Sequence, residues 1–308
     1  MANLLCTRAH TAQRAVMTQT GCALALLLVS CFAVAQQTRR PMDAPLQLAM
    51  TTSWASHNKY VEVFAGQRHQ DYREFDTQGI TADGILDTET GDQAHIGIAL
   101  RWQSAEGWLW HFQAQRQSGT TDYNGYLQNG NGTLSTLLAR TGNVQAQASV
   151  SVGYALNTAN WHVMPENWQL TPLLQLGRYQ WQRNLVQYSE SYGFNTAAVG
   201  ALLQWRARPG IVLELQVLTG QTYSASVEVP ALGFDAGQPG GNLNEWQIAI
   251  SQDLGTITGA PALAGWRGTA RYTASKYDHG ASPTVNGVQA PPNQHQPSAW
   301  SVGIQKQY

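Results

Sequence analysis

The sequence predicts an all-β fold, a transmembrane antiparallel up-and-down β-barrel of about ten strands. Three observations predict it. Charged residues make up only 12% of the 308-residue chain, about half the usual share for a soluble domain. Gln, Ser, Thr, Asn and Gly take their place, as they must where one face of a strand meets lipid and the other a polar lumen. Period-2 patterning runs from about residue 59 to the last residue. Finally, long and short connections between the apolar segments broadly alternate. Lys+Arg 18 against Asp+Glu 19 leaves no basic footprint for nucleic acid.

The N-terminal segment reads as a targeting signal and stands outside the fold. Arg8 and Arg14 precede an apolar run at 23–34, which is shorter than the roughly 20 residues a spanning helix needs. Ala33-Val34-Ala35 before Gln36 is an A-x-A cleavage site, so residues 1–35 are expected to be a cleaved signal peptide. An uncleaved anchor is the alternative. A second alternative is a lipobox, Leu28-Val29-Ser30-Cys31, which would lipidate Cys31. Cys6, Cys22 and Cys31 are the three cysteines, all in this leader, so cleavage leaves no thiol for a disulfide, metal site or nucleophile. Residues 36–58, with Pro41 and Pro45, read as a polar periplasmic lead-in, and 59–308 as the barrel. With no further apolar helix, such a chain can cross a membrane only as a closed barrel.

Strands are predicted at 59–72, 94–104, 108–118, 143–155, 169–182, 192–206, 211–222, 244–254, 265–277 and 298–308. The fourth alternates most cleanly: Val144, Ala146, Ala148, Val150, Val152 and Tyr154 on one face, Gln145, Gln147, Ser149, Ser151 and Gly153 on the other. A slip of one residue would exchange the two sets. The second sets Ile96, Ile98, Leu100 and Trp102 against His95, Gly97, Ala99 and Arg101. The third sets Trp108, Trp110 and Phe112 against His111, Gln113 and Gln115. In the seventh, Ile211, Leu213, Leu215 and Val217 oppose Glu214 and Gln216. Helical periodicity fits none of these.

Connections 73–93, 119–142, 183–191, 223–243 and 278–297 are long. Those at 105–107, around Pro209-Gly210 and at 255–264 are shorter, and 156–168 is the exception. Long loops at one end and short turns at the other characterise membrane barrels. Tryptophans are expected in two interface girdles, with Trp102, Trp108, Trp168, Trp205 and Trp266 at the short-turn end and Trp181, Trp246 and Trp300 at the long-loop end. A soluble β-sandwich would instead gather its tryptophans mid-strand in the core.

The chain closes on Ser301-Val302-Gly303-Ile304-Gln305-Lys306-Gln307-Tyr308. This resembles the C-terminal β-signal of bacterial outer-membrane proteins, with Ser301, Gly303 and the terminal aromatic Tyr308 in the matching places. Lys306 departs from it, standing where a hydrophobic residue is usual, although a lysine stem can cover apolar surface while its ammonium reaches water. The resemblance implies insertion by the barrel-assembly machinery into the outer membrane of a Gram-negative bacterium, among lipid and lipopolysaccharide. Strand number and loop layout also resemble the ten-stranded omptin proteases. Omptins carry paired aspartates and an Asp–His pair at the rim; this chain has neither Asp-x-Asp nor Asp-x-His, so the likeness is one of architecture.

Two sets of polar residues are candidates for chemistry. Glu62, His95, Arg101, His111, Glu214, Arg267 and Arg271 are predicted to face the lumen. They either fill it as a plug of ion pairs or line a narrow path, and a small barrel leaves little room beyond its side chains. At the long-loop rim stand His69, Asp71, Glu74, Asp76, Asp122, Glu190, Asp278 and His279. Of these, His69, Asp71 and Asp122 are the weak candidates for general-base catalysis, against a plain reading as solvated loop residues. The acidic stretch 86–92 could attract Ca²⁺ but lacks EF-hand spacing. The loop 119–126 is polar and aromatic enough to touch a ligand, though Gly130-Asn131-Gly132 favours a simple turn. No phosphate loop, dinucleotide fingerprint, G-x-S-x-G elbow or zinc cluster occurs, so neither cofactor nor metal is expected. The expected role is a non-enzymatic surface protein, structural or ligand-binding through its long loops. An omptin-like rim hydrolase and a narrow channel are the alternatives, and the ligand is unknown.

Overall fold

A computed structural model describes residues 53–128, 134–156, 164–185 and 188–308. The expected signal peptide, with Cys31, and most of the expected lead-in lie outside the described residues, as does Gly130-Asn131-Gly132. Ten antiparallel strands form the wall. They are β1 (Tyr60–Phe75), β2 (Ile85–Gln103), β3 (Trp108–Gln128), β4 (Leu134–Tyr154), β5 (Trp168–Asn184), β6 (Ser189–Arg208), β7 (Ile211–Val229), β9 (Gly240–Asp253), β10 (Trp266–His279) and β12 (Ser298–Gln307). Two short strands, β8 (Phe234–Gln238) and β11 (Asn293–His295), extend the wall by pairing with β7 and with β1 and β10. Each wall strand pairs with its neighbours in sequence, and β1 closes the ring on β12, Tyr60 opposite Gln307 through His69 opposite Ser298. Among the described residues the ten-stranded ring itself leaves no edge open, the condition for a strand-built membrane protein. Among the described residues no helix is long and apolar enough to cross a membrane.

Side-chain direction follows the predicted alternation. Val61, Val63, Ile96, Ile98, Leu100, Phe112, Leu174, Leu176, Val199, Leu215, Val217, Ile248, Val302 and Ile304 are exposed large hydrophobics on the outer face. In a soluble protein such a belt would drive aggregation; here it is the surface that lipid covers. The predicted strands stop short, however. β3 and β4 are each 21 residues long, about twice the 9–11 residues that cross a bilayer. The connections read as loops at 73–93, 119–142 and 223–243 are largely strand. Beyond the belt the outward face turns polar while backbone pairing continues: after Phe112 and Ala114 come Arg116, Ser118, Thr120, Asp122 and Asn124. A period-2 pattern polar on both faces looks like a loop in sequence, but the ladder of backbone hydrogen bonds persists without an apolar face.

The turns are short where the chain provides the geometry. Pro209-Gly210 joins β6 to β7, proline fixing one dihedral and Gly210 supplying φ 76°. At the other end of the barrel the 76–84 loop is organised by Asp76. Its carboxylate accepts from the backbone N–H of Thr81 at 2.6 Å and of Gln78 at 2.7 Å, bonds that hold it below the usual carboxylate range.

Of the girdle tryptophans, Trp102, Trp108, Trp246, Trp266 and Trp300 are exposed on the outer face, and Trp168 and Trp205 stack at 5.4 Å. Trp246, Tyr272 and Trp300 form a continuous outer row with ring separations of 5.1 and 4.6 Å. Trp181 does not belong to the girdle. It is buried in the lumen, because odd-numbered residues of β5 point inward, as Thr171, Leu173 and Tyr179 do. Its height along the strand suited the interface, but its parity did not. Trp110, paired with Trp102 at the short-turn end, is exposed on the outer face.

The hairpin pattern makes a topology prediction. Cysteines placed at Asp122 or Leu232, at the long-hairpin end, should react with a membrane-impermeant maleimide on intact cells, and one at Glu106, in a short turn, should not. Labelling of Glu106 with protection of the other two would invert the barrel.

Candidate functional site

The lumen is built in layers. At the short-turn end lies a helical turn, α1 (Trp54–His57), capped by the Ser53 hydroxyl, which accepts from the Ser56 N–H. Its Trp54 ring lies under the Arg206 guanidinium at 4.0 Å, and Arg267 Nη1 donates to the His57 carbonyl at 3.1 Å. The sequence reading placed these residues in a polar lead-in; Trp54, His57 and Asn58 are instead buried in the barrel's lower end. Above them, Asn58 Nδ2 donates to Gln103 Oε1 and Gln204 Oε1 at 2.6 and 2.9 Å, and Gln204 Nε2 donates to Glu214 Oε1 at 2.6 Å. Arg101 Nη1 reaches the same Glu214 oxygen at 2.7 Å. This layer joins β2, β5, β6 and β7 across the barrel.

The middle layer holds Glu62, His95, His111 and Arg271. Glu62 accepts from Arg271 Nη2 at 2.7 Å and from Thr269 Oγ1 at 2.8 Å. Arg271 also stands 5.0 Å over the Phe64 ring. All seven predicted lumen residues point inward, and the structure joins four of them into two ion pairs, Arg101–Glu214 and Arg271–Glu62. Between the layers remains a polar cavity of ≈ 40 Å³. That is room for a few water molecules, at roughly 10–15 Å³ each.

Toward the long-hairpin end the lumen becomes aromatic and then densely charged. Tyr72, Tyr179, Trp181, Phe194 and Tyr277 form one buried cluster, and His295 stacks on Trp181 at 5.7 Å. Above it Arg183 is the hub. Its Nε donates to Glu190 Oε2 at 2.7 Å, its Nη1 to Glu89 Oε2 at 3.2 Å, and its Nη2 lies 3.6 Å from Glu74. Four rings, Tyr72, Tyr123, Trp181 and Tyr192, stand 5.4–5.6 Å from the guanidinium carbon. Glu89 is further held by Thr141 Oγ1 at 2.7 Å, Asn143 Nδ2 at 2.6 Å and the Thr121 hydroxyl. Sequence reading missed this hub because the predicted strands ended near Tyr72 and Gln182. Carrying the inward parity two residues further would have added Glu74 and Arg183.

The rim candidates do not converge. His69, Asp71 and Asp122 lie on the outer face of the wall. His69 Nδ1 contacts Asp92 Oδ1 at 2.8 Å, Asp71 pairs with Arg73 at 3.0 Å, and Asp122 lies 3.7 Å from Arg140. Glu74, Glu190 and His279 are buried inside, while Asp278 accepts from Gln294 at 2.8 Å. Residues 86–92 are part of β2, not a loop. Alternation sends Asp87 and Glu89 inward and Asp92 outward, which disperses the carboxylates that would have shared a cation. Likewise 119–126 is β3, with Thr121 and Tyr123 inward and Asp122 and Asn124 outward. Among the described residues no three His, Cys, Asp or Glu side chains are grouped to hold a metal.

No protein-family model and no curated protein matches the sequence. Solved structures do. The outer membrane protease OmpT from Escherichia coli superimposes with a TM-score of 0.53 at 11% identity, over 84% of this chain and 100% of that one. The translocator domain of the autotransporter NalP from Neisseria meningitidis gives 0.37 at 12% identity, over 91% and 97% of the two chains. Ail, the attachment invasion locus protein of Yersinia pestis, gives 0.27 at 12% identity, over 82% and 99%. At such identities the likeness bears on fold alone. The chain is a closed ten-stranded antiparallel barrel of the bacterial outer-membrane type, omptin-like in architecture.

Proposed function

We propose that this barrel is a non-enzymatic surface protein of the Gram-negative outer membrane. Its lumen is closed, and it acts, structurally or as a ligand binder, through the tall polar wall and rim at its long-hairpin end. The observation that carries the reading is the division of polar groups between the two faces. Inside, carboxylates are tied to guanidinium groups in buried layers, Glu214 to Arg101, Glu62 to Arg271, and Glu74, Glu89 and Glu190 to Arg183; outside, His69, Asp71 and Asp122 stand apart on an open wall. A general base needs rigid placement within hydrogen-bond reach of an enclosed target, and an open strand face offers no such enclosure. The exposed Arg116 and Arg178, just past the apolar belt, suit the phosphates of lipopolysaccharide. The resemblance of the terminal strand to a β-signal supports insertion through the barrel-assembly machinery.

The test is twofold. Purified barrel in planar bilayers is expected to show no steady open state, and with lipopolysaccharide present to leave peptides with basic cleavage sites intact. Steady conductance would replace the proposal with a channel. A second reading, a hydrolase of the outer wall, draws on the 2.8 Å His69–Asp92 contact and on the protease fold likeness. Peptide cleavage that His69→Ala abolishes would establish it.

A further inference from the structure

The ≈ 40 Å³ central cavity is unequally supplied with hydrogen-bonding groups. Arg68 and Arg271 line it and are both buried. Arg271 spends one nitrogen, Nη2, on Glu62, which leaves its Nε and Nη1 without partners. Among the described residues Arg68 forms no ion pair, and its Nε and Nη2 are likewise unpartnered. His95 Nδ1 and His111 Nε2 complete the orphaned atoms on this lining. Glu245 is the carboxylate on the same wall; it accepts from Ser275 Oγ at 2.9 Å and reaches neither arginine within ion-pair distance. The orphans are therefore four guanidinium nitrogens, which can only donate, and two imidazole nitrogens; the Glu245 carboxylate and the amide oxygens of the lining glutamines make no hydrogen bond to them.

An arginine cannot shed its proton to escape burial, and a buried charge left unpaired is strongly destabilising. A guest that accepts would answer the guanidinium nitrogens. Water can accept from them and donate onward to the glutamine oxygens and Glu245 of the lining, but it brings no charge. A monatomic anion accepts from every side, carries the charge that Arg68 lacks, and is little larger than one water. We propose that the barrel encloses a small inorganic anion of chloride size between Arg68 and Arg271, taken up as the wall closes and retained by the layers on either side. It acts there as a structural counter-ion, the interior counterpart of the carboxylates around Arg183.

Two measurements on the full chain test it. Protein refolded in bromide and crystallised should show a bromine anomalous peak in the cavity beside Arg68 and Arg271. In parallel, the unfolding temperature should rise with chloride in a saturable way and stay unchanged in gluconate, which is too large to enter, at equal ionic strength. Arg68→Gln should weaken the apparent chloride affinity at least tenfold. An empty cavity in the anomalous map overturns the proposal whether or not the variant folds. So does equal stabilisation by gluconate, or an unchanged chloride response in Arg68→Gln.

Discussion

Replacing Arg183 with Met will cost the folded barrel about 3–5 kcal/mol, the range for removing one partner of a buried ion pair. The unfolding temperature of the heat-modifiable form will fall accordingly. Arg183 is 2% exposed, and the carboxylates it serves, Glu74, Glu89 and Glu190, are at most 9% exposed. Methionine matches much of the stem volume and removes the only cation within 4 Å of those three groups among the described residues. Their mutual repulsion is then felt in a medium where charges are poorly screened. The four rings around the guanidinium also lose a desolvated cation–π partner. Adding Glu89→Gln to Arg183→Met should recover part of the loss. The amide oxygen can still accept from Thr121, Thr141 and Asn143, and one uncompensated charge is gone. The control is Arg140→Ala, which breaks a pair whose members are 74% and 71% exposed and should change stability by no more than about 1 kcal/mol. Equal unfolding temperatures for Arg183→Met and Arg140→Ala would show that the hub does not hold the upper barrel together.

What could be read from the sequence was decided by the apolar face. Wherever one face of a strand is hydrophobic, as at Val144 through Tyr154 or Ile96 through Trp102, the register and the inward set were legible, and Glu62, Arg101, Glu214 and Arg271 fell on the correct side. Where both faces are polar, pattern alone cannot separate strand from loop, and the upper halves of β2, β3, β4 and β7 were read as connections. With them, and with the rim ends of β1 and β6, went the inward places of Glu89, Glu74 and Glu190; Glu74 continues the inward row of Glu62 and Glu89 that of His95. Trp181 shows the complementary error, since a residue can sit at the right height and point the wrong way. Trp54 was hidden for another reason: one helical turn beside a proline-containing stretch has no periodicity to detect, and its burial depends on Arg206, over 150 residues away in sequence. The orphaned donors of the central cavity were also illegible, because which arginine finds a carboxylate depends on distances across the ring.

Gly303→Val will prevent the barrel from closing. Gly303 faces the lumen on β12, opposite Phe64 on β1 and Thr269 on β10. A Cβ there would stand 2.7 Å from Glu62 Oε1, 2.7 Å from Thr269 Oγ1 and 2.9 Å from the Val63 carbonyl oxygen. None of these can move aside cheaply. Val63 O belongs to the β1 backbone, and Glu62 is fixed by Arg271 and Thr269 at 2.7 and 2.8 Å. Phe64 lies between two glycines, Gly303 on one neighbouring strand and Gly97 on the other, and its ring covers the bare backbone of Gly97, an arrangement known to support glycines in sheets. Gly303→Ala already overpacks this seam, at about 1–3 kcal/mol. The two further methyls of valine also break the Glu62–Arg271 pair, and the heat-modifiable fraction should fall close to zero. Gly303 is also the glycine of the terminal stretch that resembles a β-signal, which raises a competing cause: the variant could fail because assembly factors no longer read the strand. Folding from denaturant into detergent or lipid, with no assembly machinery present, separates the two. Steric obstruction of the seam predicts failure both in cells and in the purified system. Normal refolding of purified Gly303→Val, with failure confined to cells, would assign the glycine to recognition and leave the β1–β12 seam tolerant of a side chain.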